Sequence, residues 1–135
     1  MPEIKRFTVE QANATLPLVR RIVEDIVTQY RIWNEKLNEI DLVAASGRAA
    51  DAAIGERLAQ EAQAIARDIE GFRRELTALG IQMKDEATGL IDFPSRMGDR
   101  PILLCWRLGE PDVGFWHDVD AGYASRQPLL PASVG

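Results

Sequence analysis

The chain has 135 residues, 46% hydrophobic and 27% charged, with a formal net charge of −5, which suits one soluble domain built around one hydrophobic core. The apolar runs are short and broken by charges, so no membrane span is expected, and the start Met-Pro-Glu-Ile-Lys-Arg-Phe lacks the apolar stretch of a leader peptide. With no basic stripe and no interleaving of aromatic and basic residues, nothing would neutralise phosphates, so nucleic acid is not expected as a partner.

In chain order, Thr8-Val9-Glu10-Gln11 has the form of a capping box, in which the Thr8 hydroxyl and the Gln11 side chain each satisfy the other residue's backbone amide. A short helix is expected to begin there. Pro17 disfavours helical geometry at Leu16, which predicts an end near Ala14 and a second helix starting around Pro17. From there Ile22, Ile26, Tyr30, Trp33, Leu37, Ile40 and Ala44 recur at spacings of three and four, on one helix face, up to Gly47. Leu58, Ala62, Ile65, Ile69, Phe72, Leu76 and Leu79 repeat the pattern up to Gly80, a good C-terminal cap. The two stripes predict a long antiparallel helical hairpin. Val19, Val23 and Val27 broaden its base, where a sheet should dock, and the Ala-rich tip carrying Gly55 should be the less stable end.

After Gly80 the period changes from helical to alternating. Ile81 to Lys84, Leu90 to Phe93, Ile102 to Leu108 and Gly114 to Asp118 read as strands separated by turn-forming stretches, among them Pro94 to Pro101 and Gly109 to Val113. The expected fold class is therefore α+β: a helical part over 1–80, a three- to four-stranded antiparallel β-meander over 81–127, and a tail over 128–135.

Chemically scarce residues crowd into the meander. The single cysteine, the single histidine and two of the three tryptophans lie between Cys105 and His117. One cysteine cannot form an internal disulfide, which agrees with a reducing compartment and, with the absent leader, with the cytoplasm. A five-residue turn over Gly109 to Val113 predicts that Cys105 faces His117 and Trp106 faces Trp116. Leu104, Trp106, Leu108, Trp116 and Asp118 would then share the core face, leaving Leu103, Cys105, Arg107, Phe115 and His117 on the other.

Phe7 to Asn13 with Leu16-Pro17-Leu18, then Thr88 to Pro94, Leu104-Cys105-Trp106-Arg107-Leu108-Gly109-Glu110, Trp116-His117, and Gly122-Tyr123 with Arg126, resemble the bacterial family known as domain of unknown function 2203. The resemblance covers nearly the whole chain. It implies a small bacterial cytosolic protein and brings no activity, cofactor or catalytic residue with it.

Three chemistries fit the cluster. A transition-metal site would use Cys105 and His117, with a carboxylate such as Asp92 or Asp118, or a second subunit, completing the shell. A thiol nucleophile would pair Cys105 with His117, although nothing supplies an oxyanion stabiliser and a mid-strand position is a poor one for a nucleophile. Recognition of an anion would use Arg107 and Arg126 near His117, unless Glu110 or Asp118 already occupies them. Each has a plainer counterpart: a buried small thiol, internal ion pairs and a hydrogen-bonded structural histidine. The expectation is a binding or adaptor protein with no cofactor and no catalytic residue, presenting His117, Arg107, Arg126, Cys105, Glu110, Asp118 and Trp116 to a small ligand or partner segment. A small metalloprotein or enzyme using Cys105 and His117 is the alternative. The long helices are expected to form a homodimer, with Val43 and the Ala-rich tip as its apolar edge.

Overall fold

The computed structural model describes residues 5–129. Helix α1 runs unbroken over Val9–Ser46 and starts at the expected capping box: the Gln11 amide donates to Thr8 Oγ1 at 3.1 Å, and the Thr8 amide to Gln11 Oε1 at 2.9 Å. The expected short separate N-terminal helix does not exist, because Pro17 lies inside α1. Proline costs a helix interior about 3 kcal/mol. Ala12, Leu16, Val19, Ile22, Val23 and Ile26 are all buried across that point, and burying two side chains such as Leu16 and Val19 returns about 3–6 kcal/mol. Burial wins over local backbone preference.

Gly47 ends α1 in the left-handed region (φ 65°). A 3₁₀ turn over Ala49–Asp51 leads into α2, Ala52–Ala78, which closes at Gly80 (φ 85°) with the Ile81 amide on the Leu76 carbonyl at 3.0 Å. Contacts between the helices pair late positions of α1 with early ones of α2: Lys36 Nζ lies 2.9 Å from Glu61 Oε2, and a Cβ on Gly55 would sit 3.7 Å from Val43. Val43 is thus half-buried against α2, and the exposed apolar residue beside it is Leu42. Among the described residues no helix is long and apolar enough to cross a membrane.

The sheet has five antiparallel strands in the order β1-β2-β3-β4-β5: Gln82–Asp85, Leu90–Met97, Arg100–Arg107, Phe115–Asp118 and Gln127–Pro128. Two prolines expected to lie in a connection are in strands. Pro94 is tolerated in β2 because β1 pairs only as far as Asp92, so the side of β2 that lacks the Pro94 N–H is a local edge. The Phe7 amide uses that edge, donating to the Pro94 carbonyl at 2.7 Å. Met97 faces Arg100 across a turn of Gly98 and Asp99, with Gly98 at φ 62°. Pro128, expected in the tail, lies opposite Phe115 as part of β5. The rest of that tail beyond Leu129 is outside the described residues.

The β3–β4 register differs from expectation. His117 faces Leu103, Trp116 faces Leu104 and Phe115 faces Cys105. The loop is longer than five residues because it is tied to α1: the Val113 amide donates to Asn13 Oδ1 at 2.7 Å, Arg20 donates to the Pro111 carbonyl at 3.1 Å, and Val113 is buried. A slip of two leaves every side chain on its expected face. Ile91, Phe93, Ile102, Leu104, Trp106 and Trp116 therefore pack on the helices in one core. Gly89 brings the β1–β2 turn onto α1, where an added Cβ would meet Leu108 at 2.7 Å and Val23 at 2.9 Å.

Candidate functional site

The face of the sheet turned away from the helices carries the chemistry. Asp92, Cys105 and Phe115 form one row across β2, β3 and β4, and Pro94, Leu103 and His117 form the next. Asp92 and Cys105 are direct cross-strand neighbours, with His117 on the diagonal. The three side chains are 2%, 0% and 3% exposed. One donor atom from each lies within 4.8 Å of the others.

His117 is fixed at both nitrogens. Nδ1 lies 2.8 Å from the Asp118 carbonyl, and Nε2 lies 3.1 Å from each Asp92 carboxyl oxygen. A carbonyl only accepts, so Nδ1 carries a hydrogen. Nε2 then either accepts from a protonated Asp92 or, as imidazolium, donates to a carboxylate; both forms place one proton between the two residues. Burial pushes the Asp92 carboxyl above its usual range, opposed by His117. Burial also pushes the Cys105 thiol up to about 11, reinforced by the Asp92 charge and opposed by Arg126.

The chain after β4 covers this cluster. Its 3₁₀ turn, Tyr123–Ser125, is followed by Arg126, whose two terminal nitrogens donate to the two oxygens of Glu110 at 3.0 and 2.7 Å. That pair raises the Arg126 pKa further. The guanidinium carbon lies 3.8 Å from the Phe115 ring centre and 4.2 Å from that of Tyr123, and one nitrogen lies 4.0 Å from Cys105 Sγ. Among the described residues no fully buried side-chain nitrogen or oxygen lacks a partner.

Beside the cover is a depression of about 320 Å³ lined by Asp85, Thr88, Leu90, Arg107 and Tyr123. Arg107 is exposed, and its guanidinium reaches Tyr123 Oη at 3.4 Å. No carboxylate of the described residues pairs with it. Asp85 accepts from Thr88 Oγ1 at 2.6 Å and from the Ala87 amide at 3.3 Å.

Cys105, His117, Glu110 and Arg126 thus come together, and Arg107 borders them through Tyr123. Trp116 does not join them: it lies in the core, with the Arg100 guanidinium 5.6 Å from its ring. The Asp118 side chain pairs with Arg100, so only its main-chain carbonyl reaches the cluster. Phe115 lies on the face expected for it, whereas nothing in the sequence pattern marks Tyr123 or Asp85 as site residues, and Asp92 is expected only as a carboxylate that completes a metal shell. Its signal is an acid set within the apolar run Leu90-Ile91-Asp92-Phe93, on the same strand face as Leu90.

The profile of a family described as "Uncharacterized conserved protein (DUF2203)" matches residues 5–129. The chain belongs to that family. Comparisons with curated proteins and with solved structures gave no match. The DUF2203 match covers both the helices and the whole buried cluster, so helices and site are parts of one family unit. Burial and the neighbouring Asp92 push the Cys105 pKa up, which disfavours the thiolate that a nucleophile needs, and His117 Nε2 is hydrogen-bonded to Asp92 rather than to the sulfur.

Proposed function

We propose that the chain is a non-catalytic binding protein whose ligand is a small molecule with an acidic group at one end and a hydrogen-bond donor at the other. The observation that carries this reading is the depression over Asp85, Thr88, Leu90, Arg107 and Tyr123. Its volume, about 320 Å³, lies at the small end of ligand sites and favours a metabolite-sized molecule over a partner segment. Arg107 offers a planar fork that suits a carboxylate or phosphate. Asp85, which lies across Leu90 from Arg107 in the strand register, accepts hydrogen bonds, which suits an amine or hydroxyl, while Leu90 and Tyr123 supply apolar wall. Of the Trp/His/Arg face expected from the sequence, the arginine remains in reach of solvent.

The test compares β-alanine with propionate, which matches its chain but lacks the amine, by amide shift perturbation in NMR. β-Alanine is expected to bind more tightly, with shifts confined to residues 85–90, Arg107 and Tyr123. Arg107→Gln should abolish binding of both, and Asp85→Asn should remove the difference between them. Shifts scattered over the surface, or an unaffected Arg107→Gln variant, would overturn the reading.

Self-association is a separate proposal. The exposed Leu42 and Ile54, far from the sheet, support a second copy of this chain as the partner of the helical tip.

A further inference from the structure

We propose that Asp92, Cys105 and His117 form a binding site for a divalent transition-metal ion of the zinc class. The site lies beneath the Arg126–Glu110 cover and is distinct from the Arg107 depression.

Convergence is the first argument. Around a tetrahedral zinc ion with bonds of 2.0–2.3 Å, neighbouring donor atoms stand about 3.3–3.8 Å apart. The three donors here already lie within 4.8 Å of one another, with His117 Nε2 at 3.1 Å from Asp92. Side-chain rotations of about 1 Å suffice to close the shell. Nε2 is also equidistant from both Asp92 oxygens, whereas a plain hydrogen bond selects one.

The outer partners are the second argument. A metal-binding imidazole characteristically donates its other N–H to a carboxylate or backbone carbonyl, which fixes the tautomer and makes the ligating nitrogen more basic. Asp118 supplies such a carbonyl to Nδ1 at 2.8 Å, directing Nε2 at the other two donors. A nitrogen of Arg126 stands 4.0 Å from Cys105 Sγ, placed to donate to a thiolate. Glu110 balances the charge of Arg126, so the cover adds no net positive charge against an incoming cation.

Charge balance is the third. A thiolate, a carboxylate, a neutral imidazole and a dication sum to zero, which a buried site requires. Without the ion the same neutrality needs two protons, one on Cys105 and one shared by Asp92 and His117. Uptake exchanges one dication for those two protons, which leave to solvent, and forms bonds from Sγ, a carboxyl oxygen and Nε2. The mixture of sulfur, nitrogen and oxygen donors favours zinc-class ions and excludes a magnesium or calcium preference. Three protein ligands leave a fourth position for water.

The test uses untagged full-length protein, stripped with a chelator and titrated with Co²⁺. One equivalent should produce visible d–d bands and a near-ultraviolet thiolate charge-transfer band, and one equivalent of Zn²⁺ should erase both. Cys105→Ser should lose the charge-transfer band while folding, checked by circular dichroism, is retained. His117→Gln and Asp92→Asn should each weaken Zn²⁺ binding by roughly 100-fold or more, given that losing an outer partner alone costs 10–100-fold. If the variants do not fold, the wild-type spectra decide. Weak Co²⁺ binding without a thiolate band, or no binding at micromolar Co²⁺, overturns the proposal.

Discussion

Cys105 and Arg126 show how one residue's surroundings set its chemistry. The thiol is wholly buried beside Asp92, so ionising it places a second negative charge in a region already poor in water. Its pKa of about 11 gives a sharp expectation for metal-free protein. Between pH 8 and 10 the thiolate fraction should rise about 90-fold, where a cysteine at its ordinary value of 9.0 would rise only about tenfold. Thiolate absorbance, taken as the difference from Cys105→Ser, measures this directly. The linked effect on stability has a definite sign. The folded pKa lies above the unfolded one, so the contribution is complete below about pH 9 and is lost as pH rises towards 11. Arg126 illustrates the opposite case, a cation held by a matched partner. Glu110→Gln keeps the shape but removes the charge that the fork grips, and urea unfolding should register a loss of about 1–2 kcal/mol. An unchanged midpoint would mean that stacking on Phe115 and Tyr123 is enough to hold the guanidinium.

At the scale of elements, the features read correctly from sequence are those decided within a few residues. The Thr8 capping box, the ends at Gly47 and Gly80 and the three-four stripes depend on local geometry, and local geometry is written in the chain. Pro17, Pro94 and the β3–β4 register were misread because each is decided by a partner far away in sequence. Buried neighbours carry α1 through Pro17, the Phe7 amide occupies the edge at Pro94, and Asn13 pins the loop that sets the register. The face assignment of Cys105 and His117 survived since a slip of two preserves alternation, whereas Asp92 reaches them through a pairing that periodicity does not reveal. Two substitutions test this account. Pro17→Ala on the exposed side of α1 should stabilise the protein by about 1–3 kcal/mol, restoring a helix hydrogen bond at a modest cost in unfolded-state entropy. A loss instead would assign Pro17 a packing role. Gly89→Ala should cost more than about 2 kcal/mol, because the new methyl would collide with Leu108 and Val23 at a backbone angle suited to glycine.

Across the whole molecule, burial is distributed unevenly along the helices. The last fully buried residue of α1 is Ile26, although the helix continues for some twenty residues to Ser46. Beyond that point α1 and α2 rest on each other, with Leu58 and Ala62 buried between them and the Lys36–Glu61 ion pair at their margin. An exposed pair of that kind contributes little. The tip, with Leu42 73% and Ile54 40% exposed, offers apolar surface that a second copy would bury. Self-association there predicts a mass near 30 kDa in sedimentation equilibrium at micromolar concentration, twice the 15.0 kDa of one chain. Leu42→Lys with Ile54→Lys should return it to a single chain without changing tryptophan fluorescence, because Trp106 and Trp116 are buried at the other end of the molecule and Trp33 packs against that same core. A mass of one chain for the unsubstituted protein at every micromolar concentration would reject the dimer. The arm would then stand as a projecting pair of helices whose charged and alanine-rich surface keeps it in water unaided.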